Sequence, residues 1–212
     1  MGQALGLRGA PSPAAEASRR RPGRPPQATG LPHLFMMEYY DALGLEPKLS
    51  LDLEDLKQRF YAQSRLWHPD RFTRAEPLER ERALDMTAVL NDAFRTLRDP
   101  VTRAEYFLKQ NGIELSKEPP PELLEEVFDL NLMLEELREG DASVRPDLEA
   151  ARQRFLGMLE EIDTSQEERF AAYDISHDPV ILEEIRGALN RRKYISNLVC
   201  DVDKQLNVPI AN

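Results

Sequence analysis

The sequence predicts an all-α protein. Three observations carry this. No stretch alternates apolar and polar residues as a half-buried strand does. Apolar residues recur instead at three- and four-residue spacings in segment after segment. Proline, glycine and aspartate stand where such segments should start and stop. Of the 212 residues 31% are charged and 7% aromatic, a composition that suits solvated helices.

The segments follow in order. Glu38–Leu43 forms a short helix, stopped near Gly44 and Pro47. From Asp52, apolar residues fall at Leu53, Leu56, Phe60 and Trp67, one helical face. Asp52, Glu54 and Asp55 lie in its first turn, where the helix dipole favours anions. Pro69 ends this helix near Trp67, and a loop runs to Pro77. A helix over 78–97 shows Ala83, Met86, Leu90, Ala93 and Leu97, a spacing that suits close antiparallel packing. Pro100 opens a helix over 100–111 that ends at Gly112. Pro119, Pro120 and Pro121 read as a stiff break. Three longer patterns follow: 121–138, from Pro146 towards Tyr173, and from Pro179, capped by Asp178, to about Leu206. Short loops between them make an antiparallel three-helix bundle.

Charge divides the chain the same way. The net charge of −10 is made of +4 over residues 1–35, −3 over 36–119 and −11 over 120–212. An acidic surplus argues against a nucleic-acid reader. No apolar run approaches the ~18–20 residues of a membrane span. Residues 1–35 hold six of the 16 prolines and five arginines, and read as a disordered tail or an over-extended gene start. Pro22, Pro25 and Pro26 break any amphipathic helix across the arginines, which argues against a mitochondrial transit peptide. The single cysteine, Cys200, excludes an internal disulfide and any multi-thiolate metal site. Its neighbours Leu198, Val199 and Val202 suggest a core or near-core thiol.

Two features carry chemistry. His68-Pro69-Asp70 lies where a basic amphipathic helix meets a loop. Pro69 fixes φ and makes the turn rigid before a partner arrives. Asp70, in the loop, is presented to accept a bidentate arginine. Lys57, Arg59, Arg65, Arg71 and Arg74 surround it against that single acid, a positive face suited to an acidic protein partner. The second feature lies on helix 121–138. Leu123, Val127, Leu130, Leu134 and Leu137 complete a core stripe, yet Leu124, Phe128 and Leu132 form another. Six acidic residues and no basic one precede Arg138 on this helix. On periodicity alone the second stripe is either a partner surface or the broad face that three-helix packing takes. No metal is expected at His68, because His33 and His177 lie in the tail and a distant linker. Nor is an enzyme expected, since His68 and Asp70 have no nucleophile motif beside them.

Around His68-Pro69-Asp70, the segments EYYDALGL, RFYAQSRLWHPDRF and LNDAFRTLRDPVTRAEY resemble a J-domain protein, and the chain from 37 to 206 is similar to the HscB family, co-chaperones of iron–sulfur cluster assembly. The resemblance implies a J domain with its connecting helix over 36–112, a proline-rich linker over 113–121, and a three-helix bundle over 122–207 in an L-shaped arrangement, with a tail at 208–212. It implies that His68, Pro69 and Asp70 stimulate the ATPase of a DnaK/HscA-type chaperone, with Lys57, Arg59 and Arg65 as the docking face. It implies an IscU-type scaffold as client, contacted by Leu124, Glu125, Phe128, Asp129, Leu132, Glu136 and Tyr194. Glu125 stands where the family has an apolar residue, and Leu132 where it has an acid. With no cysteine before position 200, the chain resembles the bacterial form rather than the human type with its zinc-binding segment. A bacterial cytoplasmic location is expected ahead of a mitochondrial one, with no cofactor, no nucleic acid and no membrane. A J-domain protein with another client, or a helical adaptor with a degenerate J domain, remain the alternatives. A pull-down with the scaffold separates the first, and an ATPase assay the second.

A chain starting at Met37 should keep the melting temperature of the full-length protein, because residues 1–35 lack the apolar content to pack. Differential scanning calorimetry checks this, and a drop of several degrees contradicts it.

Overall fold

The computed structural model describes residues 38–116 and 118–207. The expectations for 1–35 and 208–212 lie outside the described residues. Seven α-helices follow one another: α1 Glu38–Leu43, α2 Leu53–Leu66, α3 Pro77–Arg98, α4 Pro100–Gln110, α5 Leu124–Arg138, α6 Arg145–Ser176 and α7 Pro179–Leu206. Single 3₁₀ turns occupy Pro69–Phe72, Pro121–Leu123 and Ala142–Val144. The described residues contain no strand, and no helix among them is long and apolar enough to cross a membrane.

Local chemistry sets the ends. The Asp52 carboxylate accepts the amides of Glu54 and Asp55 at the start of α2. Asp99 ends α3 and caps α4 through the amides of Val101 and Thr102, with Pro100 in the first position. Asp178 caps α7 through the Val180 amide. α6 runs to Ser176, three residues past the expected end, and closes on His177 in the left-handed region at φ 52°. That conformation is uncommon outside glycine. Here the His177 amide still donates to the Tyr173 carbonyl, and its ring meets Tyr173 edge-on.

Two apolar clusters form. In the first, α2 and α3 pair through Leu56, Leu90, Ala93 and Leu97, with Phe60 stacked on Phe94 at 4.4 Å between ring centroids. Tyr40 and Leu43 of α1 and Ala104, Phe107 and Leu108 of α4 close it. Phe170 and Tyr173 from the end of α6, and Leu182, Ile185 and Leu189 from the start of α7, belong to this same cluster. The second cluster is the bundle core: Leu123, Leu130 and Leu134, then Leu148, Ala151, Phe155 and Ile162, then Ile195, Leu198, Val199 and Val202. The α6–α7 hairpin therefore serves both cores. The proline run at 119–121 is not the sole connection between them. Buried Gln166 marks the seam on α6, between Ile162 and Phe170, and its Nε2 has no hydrogen-bond partner among the described residues. Across the same stretch Arg192 pairs with Asp163 through two bonds of 2.6 and 3.0 Å.

Polar bonds fasten the hairpin to the segment before α2. The Asp174 carboxylate accepts the amides of Leu49 and Ser50 at 2.9 and 2.7 Å. The buried Arg103 guanidinium donates to the carbonyls of Leu49 and Leu97, both at 2.7 Å. Burial pulls that guanidinium below its ordinary value, and neighbouring Asp99 and Asp174 oppose the shift. The Tyr40 hydroxyl donates to the Lys48 carbonyl at 2.8 Å. Further along, the Ser116 amide donates to Asn190 Oδ1 at 2.8 Å.

Cys200 departs from expectation: it is exposed. The buried face of α7 is set by Ile195, Leu198, Val199 and Val202. A residue next to Val199 in sequence is turned about 100° away from it around the helix, so apolar neighbours along the chain do not bury Cys200.

Burial raises the pKa of Tyr40 strongly, and those of Tyr106 and Tyr173 as well. The folded chain thus holds these protons to higher pH than the unfolded chain. Above the ordinary tyrosine value of 10.0 the unfolded state loses protons first, and stability falls as pH rises. Urea unfolding from pH 8 to about 11 should show this decline, starting near the ordinary phenol range of about 10. Tyr40→Phe should make it shallower, at the cost of about 1 kcal/mol at neutral pH for the lost hydrogen bond.

Candidate functional site

The end of α2 is built to stop abruptly. Its last turn closes with the Trp67 amide on the Gln63 carbonyl. His68 then takes φ −59° and ψ 128°, and Pro69 opens the 3₁₀ turn. A residue before proline is held out of the helical region, which is why the chain turns here. The expected loop is thus a braced turn. The Arg71 amide donates to the His68 carbonyl at 3.0 Å. The Arg71 guanidinium donates back to the Arg65 carbonyl on α2 at 2.9 Å. Thr73 Oγ1 reaches the Asp70 carbonyl at 3.3 Å. From α3, Thr87 Oγ1 lies 3.1 Å from the Trp67 carbonyl while its shorter bond, 2.7 Å, goes to the Ala83 carbonyl of its own helix, and Trp67 and Phe72 lie parallel, 6.1 Å apart, across the base of the turn.

Within this frame the His68 and Asp70 side chains stay outside. The His68 ring is 58% exposed and the Asp70 carboxylate 86%. His68 Nδ1 accepts the Asp70 amide at 3.3 Å and lies 3.5 Å from the Asp70 carboxylate. One nitrogen cannot do both. The neutral ring accepts the amide, which leaves Nε2–H facing outward as a donor. In the neutral state the turn offers an imidazole donor and a carboxylate acceptor on a backbone that needs little ordering.

The expected cations do not form one set. Lys57 lies 3.6 Å from Glu54 on the exposed face of α2, and Arg65 is exposed two turns further on. Arg59 is turned to the α1 side, where Nε bonds Asp55 at 2.8 Å and Nη1 bonds the Gly44 carbonyl. Its guanidinium closes the α1–α2 corner. Arg71 and Arg74 extend the basic surface past the turn, both exposed. Tyr61 escaped the sequence reading. It stands midway between Lys57 and Arg65, 53% exposed, and the four-residue spacing 57, 61, 65 is the signal that places it on their face.

On α5 the two apolar stripes separate. Leu123, Leu130 and Leu134 are buried, while Leu124 is 52%, Phe128 70% and Leu132 49% exposed. The second stripe lies roughly 140° around the helix from the first at 3.6 residues per turn, so bundle packing does not use it. Glu125 and Asp129 are exposed beside it, and Glu136 is half-buried. Tyr194 is half-buried on α7, packed against the bundle core. Among the described residues no group of three or more His, Cys, Asp or Glu is placed to hold a metal ion.

Residues 38–106 match the family model of the DnaJ domain. The Co-chaperone protein HscB homolog of Neisseria meningitidis is 33% identical over 139 residues, covering 64% of this chain and 78% of that protein. The chain belongs to the HscB family. The HscB homolog of Vibrio vulnificus is 37% identical over 108 residues, 49% of this chain and 63% of that one. Chaperone HscB from Vibrio cholerae superposes with a TM-score of 0.56 at 28% identity, over 78% of this chain and 95% of that chain. Human HscB shares the fold, with a TM-score of 0.55 at 24% identity over 86% of this chain and 85% of that one. The protein is a J-domain co-chaperone, and the turn at His68–Asp70 lies within the residues that the domain model matches.

Because Leu124 and Phe128 face outward, changing both to Ala should cost well under the ~2–5 kcal/mol of a buried large-to-small change. Equilibrium urea unfolding measures this, and a loss in that range would place the two side chains in the core.

Proposed function

We propose that this HscB-family chain holds an IscU-type iron–sulfur scaffold on its C-terminal bundle, residues 122–207. Its J domain, residues 36–112, presents that client to a DnaK/HscA-type chaperone and stimulates the chaperone's ATPase. The observation that carries the reading is the His68-Pro69-Asp70 turn. It is braced by Arg71, Thr73 and the Trp67–Phe72 pair, yet its His and Asp side chains are exposed. In this reading His68 and Asp70 act on the chaperone: the imidazole donates, and the carboxylate accepts a partner arginine. Lys57 and Arg65 steer the encounter, and Arg59 holds the corner behind them.

The cluster on the scaffold is cargo, and the chain itself supplies binding and orientation. Leu124 and Phe128 are the apolar anchors of the client face, with Asp129 beside them and Glu125, Leu132, Glu136 and Tyr194 around them. Holding client and ATPase on one chain raises the effective concentration of one at the other. The bacterial cytoplasm is the proposed setting, which the bacterial relatives support.

The test is a steady-state ATPase assay with the cognate chaperone, with and without scaffold. His68→Gln should fold normally and bind scaffold normally but give no stimulation. Wild-type stimulation by this variant would remove the J-domain reading. The Leu124→Ala/Phe128→Ala double variant should stimulate normally without scaffold. It should bind scaffold about thirtyfold more weakly, which corresponds to ~2 kcal/mol, a hot-spot loss. Unchanged scaffold affinity would remove the client face.

A further inference from the structure

Tyr61 has no role in the fold that accounts for its position. It points outward from α2, 53% exposed, and its hydroxyl has no hydrogen-bond partner among the described residues. Its ring leans on the neighbouring Phe60 at 5.7 Å and 48°, but Phe60 is already stacked on Phe94 at 4.4 Å. Leu53, two turns earlier, is also 53% exposed. The sequence Leu53, Lys57, Tyr61, Arg65 therefore runs along the outer side of α2 at four-residue steps, apolar and basic by turns. Arg59 is withdrawn from this face by Asp55 and Gly44. Along this line of α2 the exposed aromatic ring has a cation a turn before it and another a turn after.

An interface made only of exposed lysine and arginine is screened by salt and discriminates weakly among acidic partners. A tyrosine at its centre changes that. It buries a large rigid area at low entropic cost and adds one directional hydroxyl, the profile of an interface anchor. We infer that Tyr61 is the anchor and specificity determinant of the chaperone-docking face, and that it seats in an apolar notch rimmed by carboxylates on the ATPase partner. The inference rests on the proposed reading of α2 as that docking face. The partner chemistry follows from charge: Lys57, Arg65, Arg71 and Arg74 together present a basic surface on a chain of net charge −10. A carboxylate rim answers those cations, and the notch answers the ring.

The experiment titrates the cognate chaperone ATPase with full-length protein at low and high salt. Tyr61→Ala should raise the concentration for half-maximal stimulation at least ~10-fold, which corresponds to ~1.4 kcal/mol, by the same factor at both salts. Maximal stimulation should persist at saturation, because His68 and Asp70 are untouched. Lys57→Ala and Arg65→Ala should cost less, and their effect should shrink at high salt. Tyr61→Phe should keep most of the affinity. Tyr61→Lys decides between ring and charge and suits a helix position. It should weaken docking despite the added cation. Tighter docking by Tyr61→Lys overturns the inference, as does a Tyr61→Ala effect that vanishes at high salt. Unchanged chaperone titration with altered scaffold affinity or self-association overturns it too. Failure of the underlying reading looks different: the wild type itself would not stimulate, or His68→Gln would stimulate fully.

Discussion

Asp174 sits near the end of a 32-residue helix, and its carboxylate is taken up by two backbone amides 125 and 124 residues earlier in the chain. Leu49, one of the two residues it holds, is gripped from the other side by Arg103 through its carbonyl. Beneath these bonds Phe170, Tyr173, Leu182, Ile185 and Leu189 fill the core that α1–α4 would otherwise leave open. Fully burying each such side chain contributes about 1.5–3 kcal/mol, and the polar bonds fix where the contact is made. The segment held in this way leads, within two residues, into Asp52, the cap of α2. The helix that carries the proposed docking face and ends at His68 is thus seated on the hairpin that completes the bundle.

The turn at His68 divides its roles by atom type. Its backbone groups and flanking side chains are engaged: Trp67 with Phe72, Arg71 with α2, and Asp70 with Thr73 through its carbonyl. The imidazole and the carboxylate carry almost none of that load. A surface group can be changed in such a frame without loss of structure, which makes a functional effect of substitution easy to interpret. The α5 helix shows the same separation on a larger scale. Leu123, Leu130 and Leu134 hold it in the bundle, and Leu124, Phe128 and Leu132 are left over.

The sequence was most legible where single residues punctuate it. Pro69, Asp99-Pro100 and Asp178-Pro179 each mark a boundary through a mechanism internal to a few residues, and α1 has the bounds that Gly44 and Pro47 suggest. The double stripe on α5 was legible because periodicity alone separates its faces. Three features were not. The end of α6 was hidden because His177, not a glycine, takes the left-handed turn. Cys200 is exposed beside apolar neighbours because proximity along a helix is not proximity around it. Arg59 lies close to Lys57 and Arg65 in sequence, yet its partners, Asp55 and Gly44, are on the opposite flank of α2. The sharing of one hairpin between two cores was illegible for a deeper reason: an apolar stripe shows that a face is buried, not against what.

That sharing restricts how the chain can change length. Ile162 belongs to one core and Phe170 to the other, with Gln166 between them on a single continuous helix. One residue inserted between them would rotate everything beyond it by about 100°. Phe170, Tyr173 and Asp174 would leave their seats together, and α7 would lose its pairing in the first core. A change of length is easier to accommodate outside the hairpin's helices, as in the turn from Glu139 to Val144, where it alters no helix phase. Between Ile162 and Phe170 the number of residues is set by geometry, as the tooth count of a gear is, independent of which residues fill the exposed positions.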